Sequence, residues 1–154
     1  MAATRSQEVM CTIVEDRILE LKSKDCKPNY SGVVVTEDIM LVTDNRKSNL
    51  HLYSLHDGKL MSSHRLESSP YGICLISKTE VAVCLPHSIV ILSFKSIDDV
   101  KRVKTLDVSK GFTWCYSVAK WTSNEFLVSG WKYANMLCWG VVSITDGRLD
   151  STHD

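Results

Sequence analysis

The chain has 154 residues, with 18 Lys plus Arg against 18 Asp plus Glu, so its formal net charge is zero. That balance offers no bulk attraction to nucleic acid or to an anionic membrane, and none of the acidic excess of a solvating tail. The composition, 44% hydrophobic and 23% charged, suits one globular domain with a core, and no apolar run approaches the ~20 residues that span a bilayer.

Residues 1–10 lack the basic-then-apolar profile of a secretory signal and read as a disordered N-terminus, which points to a cytoplasmic protein. The six cysteines are Cys11, Cys26, Cys74, Cys84, Cys115 and Cys138. None forms a C-x-x-C pair. In a reducing compartment they are expected to be structural free thiols.

From the N-terminal side, residues 11–25 read as an outer strand, with an amphipathic helix as the competing reading. Residues 31–68 hold four short apolar runs, Val33–Val35, Ile39–Val42, Leu50–Leu55 and Leu60–Leu66. Polar turns containing Glu37-Asp38, Asp44-Asn45 and Asp57-Gly58 separate them, which is hairpin chemistry without a helical period. The order repeats over residues 70–109 and begins again over 114–150, with Asp146-Gly147-Arg148 echoing Asp57-Gly58-Lys59. Taking Gly32, Gly72 and Ser117 as starting points, the spacings are 40 and 45 residues. A four-stranded antiparallel unit of ~40–50 residues is a β-propeller blade. The third runs are apolar on both faces, as expected of a sheet packed between two others, whereas the fourth are polar, as edge strands are. The expected fold is therefore all-β, a propeller fragment of four-stranded antiparallel blades. It has two complete units, a partial third over 114–150, and a tail at 151–154.

Several segments carry a family resemblance. Gly72-Ile73-Cys74-Leu75-Ile76 followed by Thr79-Glu80-Val81-Ala82-Val83, Leu41-Val42-Thr43-Asp44-Asn45, and Leu52-Tyr53-Ser54-Leu55 with Asp57-Gly58-Lys59-Leu60 resemble NHL-type propellers. Together with Cys26 and Tyr30 before the first blade, they are similar to the tripartite-motif-like proteins, whose C-terminal halves carry such repeats. The resemblance implies a six-bladed parent fold and a substrate-recognition role beside a ubiquitin ligase. No RING or B-box ligand array is present in these 154 residues, so ligase chemistry is not expected of them. Either further blades or an oligomer would be needed to cover the open sheet faces.

No G-x-S-x-G elbow, H-E-x-x-H helix, P-loop or G-x-G-x-x-G occurs, and no catalytic residue, cofactor or metal site is expected. The expected inner strands lack the carboxylates that a calcium-dependent propeller hydrolase would place in its channel. His51 and His64 read as structural, and Trp121 and Trp139 as core.

Blade topology instead sorts the loops onto two faces. One carries the interblade connections and the second-to-third turns, with Lys27, Arg46, Lys47, Lys110 and Lys132 against Asp44 and Glu67. It also carries Tyr30, Tyr71, Phe112, Trp114, Trp131 and Tyr133. The opposite face is acidic, with Glu37, Asp38, Asp57, Glu80, Asp98, Asp99, Glu125 and Asp146 against Lys78 and Lys95. Aspartates also gather in hairpins for turn chemistry alone, and aromatics also cover seams. As a binding face, the first set (Lys27, Tyr30, Arg46, Lys47, Tyr71, Lys110, Trp114, Trp131, Lys132 and Tyr133) suits a protein partner or acidic peptide. Single-stranded RNA is the alternative, and a propeller hydrolase the third reading.

Overall fold

Each short apolar run becomes a strand paired with its sequence neighbour. The computed structural model describes residues 28–96, 99–133 and 136–153. The first sheet holds β1 (Tyr30–Val35), β2 (Ile39–Asp44), β3 (Asn49–Ser54) and β4 (Leu60–Arg65). The second holds β5 (Ile73–Ser77), β6 (Glu80–Cys84), β7 (Ser88–Phe94) and β8 (Val100–Asp107). The third holds β9 (Trp114–Lys120), β10 (Glu125–Lys132), β11 (Met136–Ser143) and β12 (Leu149–His153). All pairings are antiparallel and follow chain order. The first strands β1, β5 and β9 lie side by side. Three meandering sheets radiating from adjacent inner strands are three blades of a propeller arc.

The period-two alternation assigns each side chain to a seam. In blade 2, Val81, Val83, Val90, Leu92 and Phe94 face blade 1, where they meet Leu41, Leu50 and Leu52. The alternate residues Ala82, Cys84, Ile89 and Ile91 face blade 3, against Cys115, Val118, Phe126, Val128, Cys138 and Val142. All of these are at most 5% exposed. Burial on both sheet faces is why the middle strands carry no polar alternation.

The repeated Asp-Gly turn shows the sequence period as geometry. Gly58 and Gly147 have φ of 68° and 72°, in the left-handed region where a Cβ is strained. The Gly58 and Gly147 amides donate to the Ser54 and Ser143 carbonyls at 3.0 and 2.9 Å. The amides of Lys59 and Arg148 donate to Asp57 and Asp146 at 3.2 and 3.0 Å.

Two expectations need correction. The third unit is a whole four-stranded blade rather than a partial one, and Ser151–His153 are strand rather than tail. The Asp146-Gly147 turn closes a hairpin that pairs Gly140 with Thr152 and Trp139 with His153. Nor are all the cysteines free. Cys84, at the end of β6, and Cys115, in β9, form a disulfide across the second seam, with Cα atoms 6.2 Å apart. The facing strands bring them within bridging distance, whatever compartment the composition suggests. Cys74 and Cys138 are thiols. The outer strand expected over residues 11–25, together with Cys11, Cys26 and Lys27, lies outside the described residues.

Candidate functional site: an aromatic cap on the second seam

Backbone hydrogen bonds place the two loop classes on one face. The Leu66 amide, entering the first interblade connection, donates to Ser48 in the β2–β3 turn at 2.8 Å. The Val108 amide does the same to His87 in the β6–β7 turn at 3.1 Å, and the Thr113 amide to Trp131 at the end of β10 at 2.6 Å. The expected sorting of loops is therefore present in all three blades.

On that face Tyr71, Trp114 and Trp131 come together. Tyr71 leaves the first connection, with its amide held by the Cys84 carbonyl at 2.8 Å. Its ring meets Trp114 edge-on at 5.9 Å between centroids, and Tyr116 at 5.1 Å. Tyr116 in turn meets Trp131 at 5.4 Å, and Trp114 meets His87 at 6.1 Å. Edge-to-face contacts at these distances suit the ring quadrupoles and fix ring orientations. The Trp114 Nε1 is buried with no acceptor among the described residues.

Two local features build this cap. The β9–β10 register shifts between Ser129 and Gly130, so that Gly130 pairs with Cys115 and Trp131 with Trp114, leaving Tyr116 as the extra residue. A bulge of this kind redirects a side chain. Gly130 is required there, because a Cβ would lie within 3.1 Å of the Cys115 Cα, 2.8 Å of the Phe112 ring, and closer still to the Trp114 carbonyl oxygen. The Cys84–Cys115 disulfide ties β6 of blade 2 to β9, the strand of Trp114 and Tyr116.

The remaining candidates take different places. Tyr133 is 77% exposed beside the cap. Lys110, in the connection from blade 2, is exposed, and Lys132, at the end of β10, is half-buried. Arg46 and Lys47 lie in the β2–β3 turn of blade 1; their amides donate to Asp44 Oδ1 at 3.0 and 3.3 Å. Tyr30 also belongs to blade 1, its hydroxyl 2.8 Å from that of Tyr53 and its ring edge-on to His51. Its surroundings are a buried polar cluster. His51 Nδ1 is 2.7 Å from Ser63 Oγ, and its Nε2 is 3.6 Å from Asp44. Burial and the neighbouring Tyr30 hydroxyl raise the Tyr53 pKa well above the ordinary phenol value.

Several assignments change. Phe112 is 1% exposed, so it belongs to the core and not to the face. Trp121 and Trp139 are 63% and 44% exposed rather than core, because they lie on the far side of blade 3. Tyr116 and His87 are cap residues that the sequence reading missed. The glycine opposite the bulge was the available signal for Tyr116. Asp44 is buried and presents no charge to a ligand, whereas Asp107 adds an acid to the face. The Asp107 carboxyl is held below its usual pKa by the Ser109 side chain and amide.

On the opposite face, Asp57 is lowered by Ser54 and the Lys59 amide, and Asp146 by the Arg148 amide and Ser143. Those acids serve their own turns. A cleft of about 680 Å³ opens there between blades 1 and 2, lined by residues that include Glu37, Asp38, Lys78 and Lys95. Among the described residues no group of three or more His, Cys, Asp or Glu side chains is placed to hold a metal ion. Among the described residues no helix is long and apolar enough to cross a membrane.

No family model and no curated protein matches the chain. Solved structures do. The chain is similar to hydrazine synthase of Kuenenia stuttgartiensis, at 10% identity and a TM-score of 0.67 over 80% of this chain and 36% of that one. It is similar to the WD40 β-propeller domain of Doa1, at 11% identity and a TM-score of 0.60 over 79% and 38%. BamB of Moraxella catarrhalis matches at 17% identity and a TM-score of 0.56 over 80% and 36%. The chain thus spans little more than a third of these structures, and at such identities the likeness shows the propeller fold alone.

Proposed function

We propose that this chain is a non-enzymatic recognition module that binds an acidic peptide segment of a protein partner over the second seam. The cap carries the reading: Tyr71, Trp114, Tyr116 and Trp131 come from two blades, share edge-to-face contacts, and lie on the face that also carries Tyr133, Lys110 and Lys132. Fixed rings lose little entropy on binding, and the Lys110 and Lys132 ammonium groups on the same face suit carboxylates. Resemblance to tripartite-motif-like propellers extends the reading to substrate selection for a ubiquitin ligase.

The test is selection of a random peptide display library on the protein, followed by affinity measurement on variants. Acidic sequences with an apolar anchor are expected. Their affinity should fall at least about tenfold in Trp131→Ala and in Lys110→Glu with Lys132→Glu, and stay unchanged in Glu37→Lys. Loss of binding in Glu37→Lys alone would move the site to the other face. A uridine 12-mer that binds at low salt, with affinity falling steeply as salt rises, would replace the peptide reading with RNA.

A further inference from the structure

The two cysteines of the disulfide are also the residues against which the aromatic cap is built. The Cys84 carbonyl accepts from the Tyr71 amide and the Cys84 amide donates to the Gly72 carbonyl, both at 2.8 Å. Cys115 lies between Trp114 and Tyr116 in β9. Its amide donates to the carbonyl of Pro86, the residue before His87, at 2.8 Å. Through one hydrogen bond or one peptide bond, the cross-link therefore reaches Tyr71, Trp114 and Tyr116. The Tyr71 ring meets both of the others. The two blades approach closely at this point, since a Cβ on Gly72 would lie 2.9 Å from both the Ser117 Cα and the Tyr116 carbonyl oxygen. Edge-to-face contacts between rings of two blades last only while that approach is kept.

The two ends of the second seam are tied differently. At the cap end the ties include the disulfide and the Cys115 amide. At the opposite end Lys120 Nζ donates to the Ile76 carbonyl at 2.7 Å, and Lys104 Nζ to the Ile144 carbonyl at 3.1 Å. Loss of the disulfide thus loosens the end that carries the rings and leaves the lysine ties in place. Both cysteines are fully buried, so the bond is sheltered until the seam opens at that end.

We propose that recognition over the second seam depends on the oxidation state of Cys84 and Cys115. The disulfide form presents the rings already ordered, and the dithiol form frees them from one another, so that binding must order them again. This dependence rests on the acidic-peptide reading above and sets when that site binds. A small dithiol reductant completes the chemistry: one of its thiolates attacks a sulfur of the bond, and its other thiol closes its own ring disulfide. Two electrons and two protons pass to the protein, which leaves with Cys84 and Cys115 as thiols. An oxidising compartment holds the chain in the binding form.

The test compares affinity for one selected acidic peptide before reduction, after dithiothreitol, and after reoxidation with oxidised glutathione. Iodoacetamide labelling and mass should count two further thiols in the reduced form. Affinity is expected to fall at least about tenfold on reduction and to return on reoxidation. Cys84→Ala with Cys115→Ala should match the reduced protein and respond to neither reagent. Phe126→Leu, buried in the same seam but at the start of β10 away from the cap, should keep the wild-type affinity. Equal affinity in the oxidised and reduced forms would overturn the dependence and leave the peptide reading standing. An oxidised protein that selects no acidic peptide would overturn both. A tenfold loss in Phe126→Leu would trace the effect to general loosening and also count against it. So would an unfolded far-UV circular dichroism spectrum after reduction, because the bond would then hold the whole fold and not the cap.

Discussion

The two seams of the arc are built on different plans. Between blades 1 and 2, leucines meet valines, Leu92 and Phe94 without a covalent tie, and the lower rim opens into the cleft. Across that rim, on the surface, Lys78 and Glu37 approach to 2.8 Å. Between blades 2 and 3 the side chains include Ala82, Cys84 and Cys138 and a disulfide joins the blades, while within blade 3 Gly130 brings β10 close to β9. The aromatic cap lies over this second seam. A bulge lets rings from two blades reach one another, so the cross-linked seam and the candidate site coincide. The first seam combines burial, at about 25 cal/mol per Å² of apolar surface, with hydrogen bonds from Ser31 and Asn45 to the Pro70 carbonyl and from Thr43 to the Tyr71 carbonyl. The second adds a cross-link, and beside it Gly130 locks β10 against β9 within blade 3.

The largest expected effect comes from breaking that lock. Gly130→Val forces its side chain into the Trp114 carbonyl and the Phe112 ring, and should cost about 4 kcal/mol or more in urea unfolding. A cost below about 1 kcal/mol would mean that the close approach is not needed.

Removing the cross-link comes next. Cys84→Ser with Cys115→Ser releases a loop with a sequence separation of 31 and should cost about 3–4 kcal/mol. Tryptophan emission should change with it, since Trp114 adjoins Cys115, while the first seam keeps its hydrogen-exchange protection. Equal loss of protection at both seams would erase the distinction between them.

Alkaline pH sharpens the comparison further. Burial pushes the Cys74 thiol, packed against the second core, up to about 11 from 9.0. The fold thus favours the neutral thiol. Its contribution is complete below pH 9.0 and is lost as pH rises through about 11, on the order of 2 kcal/mol in all. Cys74→Ala should flatten that part of the stability–pH curve. Tyr53 acts in the same direction in blade 1, its neutral form being favoured as pH rises past 10.0. The smallest effect belongs to Lys78 and Glu37, whose side chains are 87% and 81% exposed. Lys78→Ala should change stability by less than about 0.5 kcal/mol.

Fold and site were unequally legible in the sequence. The blades could be read because Leu50–Leu55 and Ile89–Phe94 are apolar on both faces and Asp-Gly recurs at the same place in its unit. Such signals are local and periodic. Loop sorting followed from topology, so Tyr71, Trp114 and Trp131 could be placed on one face. Their meeting could not be read, because it depends on the register shift at Gly130 that turns Tyr116 between Tyr71 and Trp131. The disulfide was hidden for a similar reason. Thirty-one positions separate its cysteines, and only the packing of β6 against β9 brings them together. Trp121 and Trp139 were misplaced because strand alternation does not say which face of an end blade has a neighbour.

Amide hydrogen exchange of the protein with and without a selected acidic peptide tests the central claim most directly. Protection is predicted at Tyr71–Gly72, Lys110–Tyr116 and Gly130–Tyr133, where the cap and its basic rim lie. Protection confined to Thr36–Asp38, His56–Gly58 and Ser77–Glu80 would place recognition on the acidic face and contradict the account.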